Sequence, residues 1–203
     1  MTVESTAEDA AQHRRGRPTA EQREERRERM LQRSLPVFLE HGYQGATLDE
    51  LARASGVTKR TIYTDYGDKE GLFAAMVDAL AGGISHGSDT VGETLLSLAT
   101  RIVFRIHSDE LVALHRLVIA ESPRLPELAR AFYEHTDARH IAALRVHIRG
   151  DRHADAGGLA SALFSLLLGE RHRQRLLGVR GPASEAEAAR IARQALHRLG
   201  LDR

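Results

Sequence analysis

The sequence predicts an all-α fold, with three short helices behind a longer one at the N-terminal end and a larger helical region after them. Three observations carry this. No segment alternates in the β-branched manner of a strand. Apolar residues recur at helical spacing from Met30 onward. Gly, Pro and small capping residues interrupt that pattern at helix-sized intervals.

Residues 1–18 have no apolar periodicity and are expected to form a disordered basic arm. From Thr19 the pattern turns helical, with Met30, Leu31, Ser34, Leu35, Phe38 and Leu39 on one face and Gly42 as the stop. Pro36 lies inside this helix, removes one hydrogen bond, and predicts a bend. Thr47 and Glu50 form a capping box that opens the next helix, whose inward side is Leu48, Leu51 and Ala52. Ser55-Gly56 ends it. Thr58 caps a short helix over 58–66 with Ile62 and Tyr66 inward, and Asp68 caps another carrying Leu72, Phe73, Met76, Val77 and Leu80. The Gly- and Ser-rich stretch 81–92 suggests a boundary, dividing the chain into 1–18, 19–81 and 82–203. Five further helices are expected at about 93–107, 108–121, 126–149, 155–178 and 184–200.

Composition excludes several classes. There are no cysteines, so disulfides, thiolate metal sites and a cysteine nucleophile are absent, which suits a cytoplasmic protein. The apolar run Leu159–Leu168 is too short to span a bilayer. Net charge is only +1, but it is unevenly placed: between Gln12 and Leu35 eight arginines stand against four glutamates. Over 21–33 that interleaving fits a solvated helix face.

The segment 47–66 meets the physical requirements of a helix-turn-helix. Ala52 lets two helices approach. Gly56 takes a backbone conformation that other residues resist. Val57 and Ile62 fill the gap between the helices and leave the other face of 58–66 free. No cofactor loop, G-x-S-x-G elbow or paired acids in an apolar setting point to an enzyme.

Between Arg29 and Asp78 the chain resembles the DNA-binding domain of the TetR family of bacterial repressors. The matching landmarks are Phe38, Gly42-Tyr43, Thr47-Leu48, Leu51-Ala52, Ala54, Gly56-Val57, Thr61-Ile62-Tyr63, Lys69-Glu70 and Leu72-Phe73. A second stretch, 115–135, resembles the ligand domain of one branch of that family. The resemblance implies that 58–66 is the recognition helix in the major groove. Thr58, Lys59, Arg60, Thr61 and Thr64 would face bases or adjacent phosphates, and Arg60 is the best reader of guanine there. Many relatives carry glycine at the Arg60 position. Tyr63 and the Thr47 hydroxyl would bond phosphate, and Lys69 would add a cation at a helix start. Asp65 departs from the family's usual histidine, and a salt bridge to a nearby Arg or Lys is the favoured account of it. Arg15-Gly16-Arg17-Pro18 resembles an AT-hook core, with Arg15 and Arg17 either entering a minor groove or giving only non-specific attraction.

The resemblance also implies a homodimer joined through the last two helices, with Leu159, Leu163, Leu166, Ala192, Leu196 and Leu199 on the candidate interface stripes. The helices over 93–149 would enclose an effector pocket lined by Phe104, Leu111, Leu114, His115, Phe132 and Phe164. Aromatic residues make up 4% of the chain and Trp is absent, which leaves little to stack on a flat ligand. His107, His115, His135, His140 and His147 never pair at i, i+3 or i, i+4, so they read as surface or core histidines and no metal is expected. The expected function is a repressor released from a palindromic DNA operator by a small molecule. The alternative is a constitutive DNA-binding dimer with no effector.

Overall fold

A computed structural model describes residues 20–85, 93–149 and 155–202. The proposed arm, with Arg15 and Arg17, lies outside them. The helices are α1 (Ala20–Gly45), α2 (Leu48–Ser55), α3 (Lys59–Tyr66), α4 (Lys69–Ser85), α5 (Leu95–Ile106), α6 (Asp109–Glu121) and α7 (Pro126–Tyr133). A π-helical turn (Glu134–Ala138), α8 (Arg139–Arg149), α9 (Ala156–Leu176) and α10 (Glu185–Arg198) complete the series. The fold is all-α, and no strand occurs among the described residues.

Local chemistry accounts for most boundaries. Thr94, Ser108, Asp155 and Ser184 each accept a hydrogen bond from the backbone N–H three residues on, and so start α5, α6, α9 and α10. Pro126 opens α7, where its missing N–H costs nothing. Helix α1 runs through Pro36 and leaves helical geometry only at Gly42 (φ 72°), the expected stop. Two expectations change. Leu39 is 39% exposed and not part of the inward face. Helix α4 continues to Ser85, past the start of the Gly- and Ser-rich stretch.

Two apolar cores hold the molecule. The first joins α1–α4 around Phe38, Tyr43 and Phe73, with Phe73 edge-on to both other rings at 5.2 Å, and it also takes in Leu111, Leu114 and Val118 of α6 and Leu128 and Phe132 of α7. The second lies among α5, α8, α9 and α10 and contains Leu98, Ile102, Leu144, Leu163, Ala192 and Leu196. Leu163, Ala192 and Leu196 are therefore buried within one chain, which corrects their expected place on an interface stripe: the helical periodicity is there, but its apolar face turns inward. Leu159, Leu166 and Leu199 are only partly buried.

Arg175 ties α9 to the α5–α6 corner. It is 5% exposed and donates to the His107 carbonyl (3.0 Å), the Arg180 carbonyl (2.8 Å) and Asp109 (2.6 Å). Asp109 can turn to water, but the two carbonyls cannot all be resolvated. Arg175→Ala is therefore expected to cost about 3 kcal/mol from those charged-donor bonds. A thermal scan checks it, with a fall of about 6–12 °C expected for a chain of this size.

Candidate functional site

Helices α2 and α3 are set by short-range bonds. The Thr47 hydroxyl accepts from the Glu50 N–H (3.3 Å), while the Glu50 carboxylate accepts from the Thr47 N–H (2.9 Å) and hydroxyl (2.8 Å). Those bonds from Thr47 hold the Glu50 carboxyl below the usual range. Gly56 sits at φ 68° and its N–H closes the end of α2, and Ser34 and Ser55 bond each other (3.3 Å) and the Met30 carbonyl where α1 crosses α2. Thr58 accepts from the Thr61 N–H (3.2 Å) and starts α3, with Ile62 fully buried beneath it.

The outer face of α3 is left free. Lys59, Arg60, Tyr63 and Thr64 are exposed, Tyr63 by 54%. Arg60 and Thr64 have no hydrogen bond or ion pair among the described residues. Lys59 pairs with Asp49 at 3.0 Å, but both side chains are more than half exposed, so the pair is weak and exchangeable. Arg26 of α1 reaches within 3.5 Å of the Thr61 hydroxyl and so borders the same face. The sequence showed Arg26 only as one charge among many, and nothing in its spacing announced this position.

Two expectations need correction, for Lys69 and Asp65, and the structure gives Thr47 a second role. Lys69 donates to the carbonyls of Tyr43 (2.8 Å), Gln44 (3.2 Å) and Ala46 (3.1 Å) and lies 4.8 Å from the Tyr43 ring centre. All three ammonium protons are used, so Lys69 closes the C-terminal end of α1 and has none left for a phosphate. Burial draws it below the usual lysine range, against the pull of Glu121. Thr47 donates its hydroxyl proton to Glu50 and so caps α2, and this exposed bond would have to be exchanged before the hydroxyl could reach a phosphate. Asp65 is exposed, and the favoured salt bridge is not formed with any of the described residues.

In the C-terminal half, α6, α7, the π turn, α8 and α9 surround a cavity of about 20 Å³. Leu111, His115 and Phe132 line it as expected. The other three expected lining residues lie elsewhere. Phe104 is 40% exposed on the far side of α5, Leu114 is buried in the first core, and Phe164 stands behind His140, stacked on it at 5.8 Å. The sequence reading missed Thr136, Asp137 and His172 as lining residues and had His140 only as a histidine of surface or core. The His115 Nδ1 and His172 Nε2 atoms are 3.1 Å apart across 57 residues of sequence, a pairing that no local spacing could reveal.

These imidazoles are neutral at physiological pH. Burial brings His140 down to about 4, with Arg139 acting in the same direction. Burial also brings His172 to about 4, helped by His115, His107 and Arg175, and lowers His115. Burial raises the Asp137 carboxyl, partly opposed by its bond from the Thr136 hydroxyl. No group of three side chains suited to hold a metal occurs among the described residues. A larger open groove of about 700 Å³ begins at Glu93 and runs along the end of α10, past His147, Arg193 and Leu196. Its rim groups already bind one another, as in Arg101 with Glu93 and His197 with Asp202.

The π turn also faces the N-terminal helices. His135 Nδ1 and Arg139 each lie 2.8 Å from the same Asp78 oxygen on α4, while Thr136 and Asp137 line the cavity. Arg105 of α5 donates to the Leu80 carbonyl of α4 (2.8 Å), and the Tyr43 N–H donates to Glu121 of α6 (3.1 Å).

A helix-turn-helix with an open recognition face, packed on a larger helical unit, defines a DNA-binding regulator. The chain belongs to the TetR family of bacterial transcriptional regulators, whose members are not enzymes. A family model of bacterial regulatory proteins of the tetR family matches residues 31–76, and one of the C-terminal domain of AefR-like transcriptional repressors matches residues 93–198. The transcriptional repressor AcnR of Corynebacterium efficiens is 31% identical over 131 residues, covering 64% of this chain and 67% of that one. The repressor ComR of Escherichia coli is 36% identical over 64 residues, covering 32% of this chain and 29% of that one. Among solved structures, a TetR-family protein from Mesorhizobium loti is 27% identical with a TM-score of 0.67, covering 86% of this chain and 95% of that one. The flavonoid-responsive regulator FrrA is 26% identical with a TM-score of 0.66, covering 86% of this chain and 94% of that one. No described helix is long and apolar enough to cross a membrane.

Proposed function

We propose that this protein is an effector-responsive repressor acting in the cytoplasm, a homodimer whose two α3 helices bind a palindromic operator and leave it when a small molecule enters the cavity. The observation that carries this reading is the π turn. Residues 136 and 137 line the cavity, while residues 135 and 139 grip Asp78 on α4, the helix that follows α3. A molecule that displaces the turn pulls on α4, and α4 carries α3 with it. π turns of this kind gather at functional sites. The named relatives support repression and, in FrrA, response to a small molecule.

On α3, Lys59, Arg60, Thr61, Tyr63 and Thr64 are the proposed DNA contacts, with Arg26 added beside them. For the dimer, α9 offers the exposed Gly158, Ser161 and Ser165, flanked by Leu159 and Leu166, which border the second core and are only partly buried. Small residues there permit close approach of a second copy, and Leu199 of α10 extends the patch.

An operator selected from random duplexes tests the DNA half of the reading. Arg60→Ala is expected to weaken operator binding about 5- to 100-fold, the range of one bidentate base contact, with a smaller loss on random DNA. Lys69→Met is expected to lower the melting temperature and leave the salt dependence of binding unchanged. A reduced salt slope in Lys69→Met would return that residue to the phosphates.

One observation favours the constitutive alternative: the cavity, at about 20 Å³, is far below the roughly 300 Å³ and more of ordinary small-molecule sites. Asp78→Asn separates the two. In an effector-responsive protein it changes how far an effector lowers operator affinity. In a constitutive one no small molecule lowers that affinity, with or without the substitution.

A further inference from the structure

We infer that the effector cavity takes a neutral, planar hydroxy-aromatic molecule, bound hydroxyl first against His140 and His172; this rests on the effector reading above. Four observations lead there.

The cavity ends on polar atoms without partners. Both ring nitrogens of His140 and the Nδ1 of His172 are buried and make no hydrogen bond, and the two side chains are 1% and 8% exposed. A neutral imidazole offers one N–H and one lone pair on opposite edges, so a single hydroxyl set between two such rings can accept from one and donate to the other. The present volume of about 20 Å³ suits one such group, since about 10–15 Å³ holds a water.

The walls are flat. The His115 ring lies 5.1 Å from Phe132 and 5.2 Å from His172, and His140 stacks on Phe164. These imidazoles bring to the site the planar rings that the low count of Phe, Tyr and Trp concealed.

Charge selects against an anion, and burial, which favours the uncharged Asp137 carboxyl, leaves a cation little to pair with. The lining holds neutral imidazoles and one carboxyl, Asp137, with no unpaired cation. The nearby guanidiniums are committed, Arg139 to Asp78, Arg171 to Glu187 and Arg175 to Asp109. A carboxylate would meet Asp137 and find no counter-charge.

The backbone is irregular on two sides of the site. The π turn supplies Thr136 and Asp137. Gly169, next to the lining residue Leu168, breaks α9 at φ 54°, ψ −170°, and a Cβ built there would touch nothing within 4 Å. Helical walls interrupted at these two points can part to admit the rings behind the hydroxyl.

The test uses the full chain and four probes: 2-naphthol, naphthalene, 2-naphthoate and 2-naphthylmethylammonium. The chain has no Trp, so probe fluorescence is read without indole background. At pH 7.5, 2-naphthol is expected to bind one per chain and at least tenfold more tightly than the other three. It is also expected to release the selected operator. In His140→Phe, which keeps the ring and removes its nitrogens, 2-naphthol should fall to the level of naphthalene. Equal binding of 2-naphthol and naphthalene to the native chain overturns the hydroxyl assignment. Tighter binding and release by the anion or the cation overturns the neutral class and leaves the effector reading standing. Binding of 2-naphthol without release upholds the site and overturns the effector reading, and binding and release by none overturns both. If His140→Phe loses its helical circular dichroism, the four-probe comparison on the native chain decides alone.

Discussion

Leu163→Arg is expected to unfold the C-terminal helices, whereas Leu166→Arg, three residues along α9, is expected to leave the helices intact and split the dimer. Leu163 is fully buried among Leu98, Ile102, Leu144 and Phe164, with no carboxylate in that core to receive a guanidinium. An unpaired charge there costs several kcal/mol after relaxation, a large part of the roughly 5–15 kcal/mol that holds a domain together. Leu166 borders the same core but is only partly buried, so an arginine there can reach water in a monomer and is trapped only between two copies. Circular dichroism reports the helices and sedimentation the mass. The Leu166→Arg monomer should lose about 100-fold or more in affinity for a palindromic operator, because the second half-site is no longer tethered. A Leu166→Arg protein that stays dimeric with native affinity would put the interface elsewhere.

Acid should destabilise the protein well before its carboxylates titrate. His140 and His172 are both held at about 4 by burial, against about 6.5 in an unfolded chain. Between those values the unfolded chain binds protons that the folded one refuses. Stability is thus fully present above about pH 6.5 and is lost as pH falls toward 4. At about 1.4 kcal/mol per pK unit, each imidazole contributes on the order of 2–3 kcal/mol by the bottom of that range. His107 and His115 are also lowered by burial and act in the same direction, while Asp137, raised by burial, offsets a part only at the acid end. Melting temperatures taken from pH 7.5 to 4.5 should fall steeply below 6.5, and the fall should be shallower in His140→Phe. A melting temperature flat from pH 7 to 5 would mean that these histidines are already protonated or hydrated in the folded chain.

What could be read from the sequence was what is decided within a few residues. The capping box of Thr47 and Glu50, the left-handed Gly56, the cap at Asp68 and the starts of α5, α6, α9 and α10 depend on neighbours at most four positions away. Periodicity also found Leu163 and Ala192 as apolar. It could not say whether the facing surface was the same chain or another, and the same ambiguity exchanged Phe104 for His172 in the cavity. Lys69 was misread because its role depends on where the last carbonyls of α1 fall, 23 to 26 residues earlier. The π turn lies inside what the pattern gives as one helix over 126–149. One extra residue in a helical turn leaves almost no trace in the composition, yet it aims Asp137 at the cavity and His135 at α4.

The shared first core has a consequence for anyone who would treat this regulator as two exchangeable parts. Leu111, Leu114, Val118, Leu128 and Phe132 complete the packing of α1 and α4. A chimera made by grafting residues 20–85 onto the C-terminal half of a relative would therefore inherit a seam cut through hydrophobic contacts, and Tyr43 and Asp78 would face foreign partners in place of Glu121, His135 and Arg139. Altered operator choice is better sought by rewriting the outer face of α3 in place. If whole segments must be moved, α6, α7 and the π turn should travel with the headpiece.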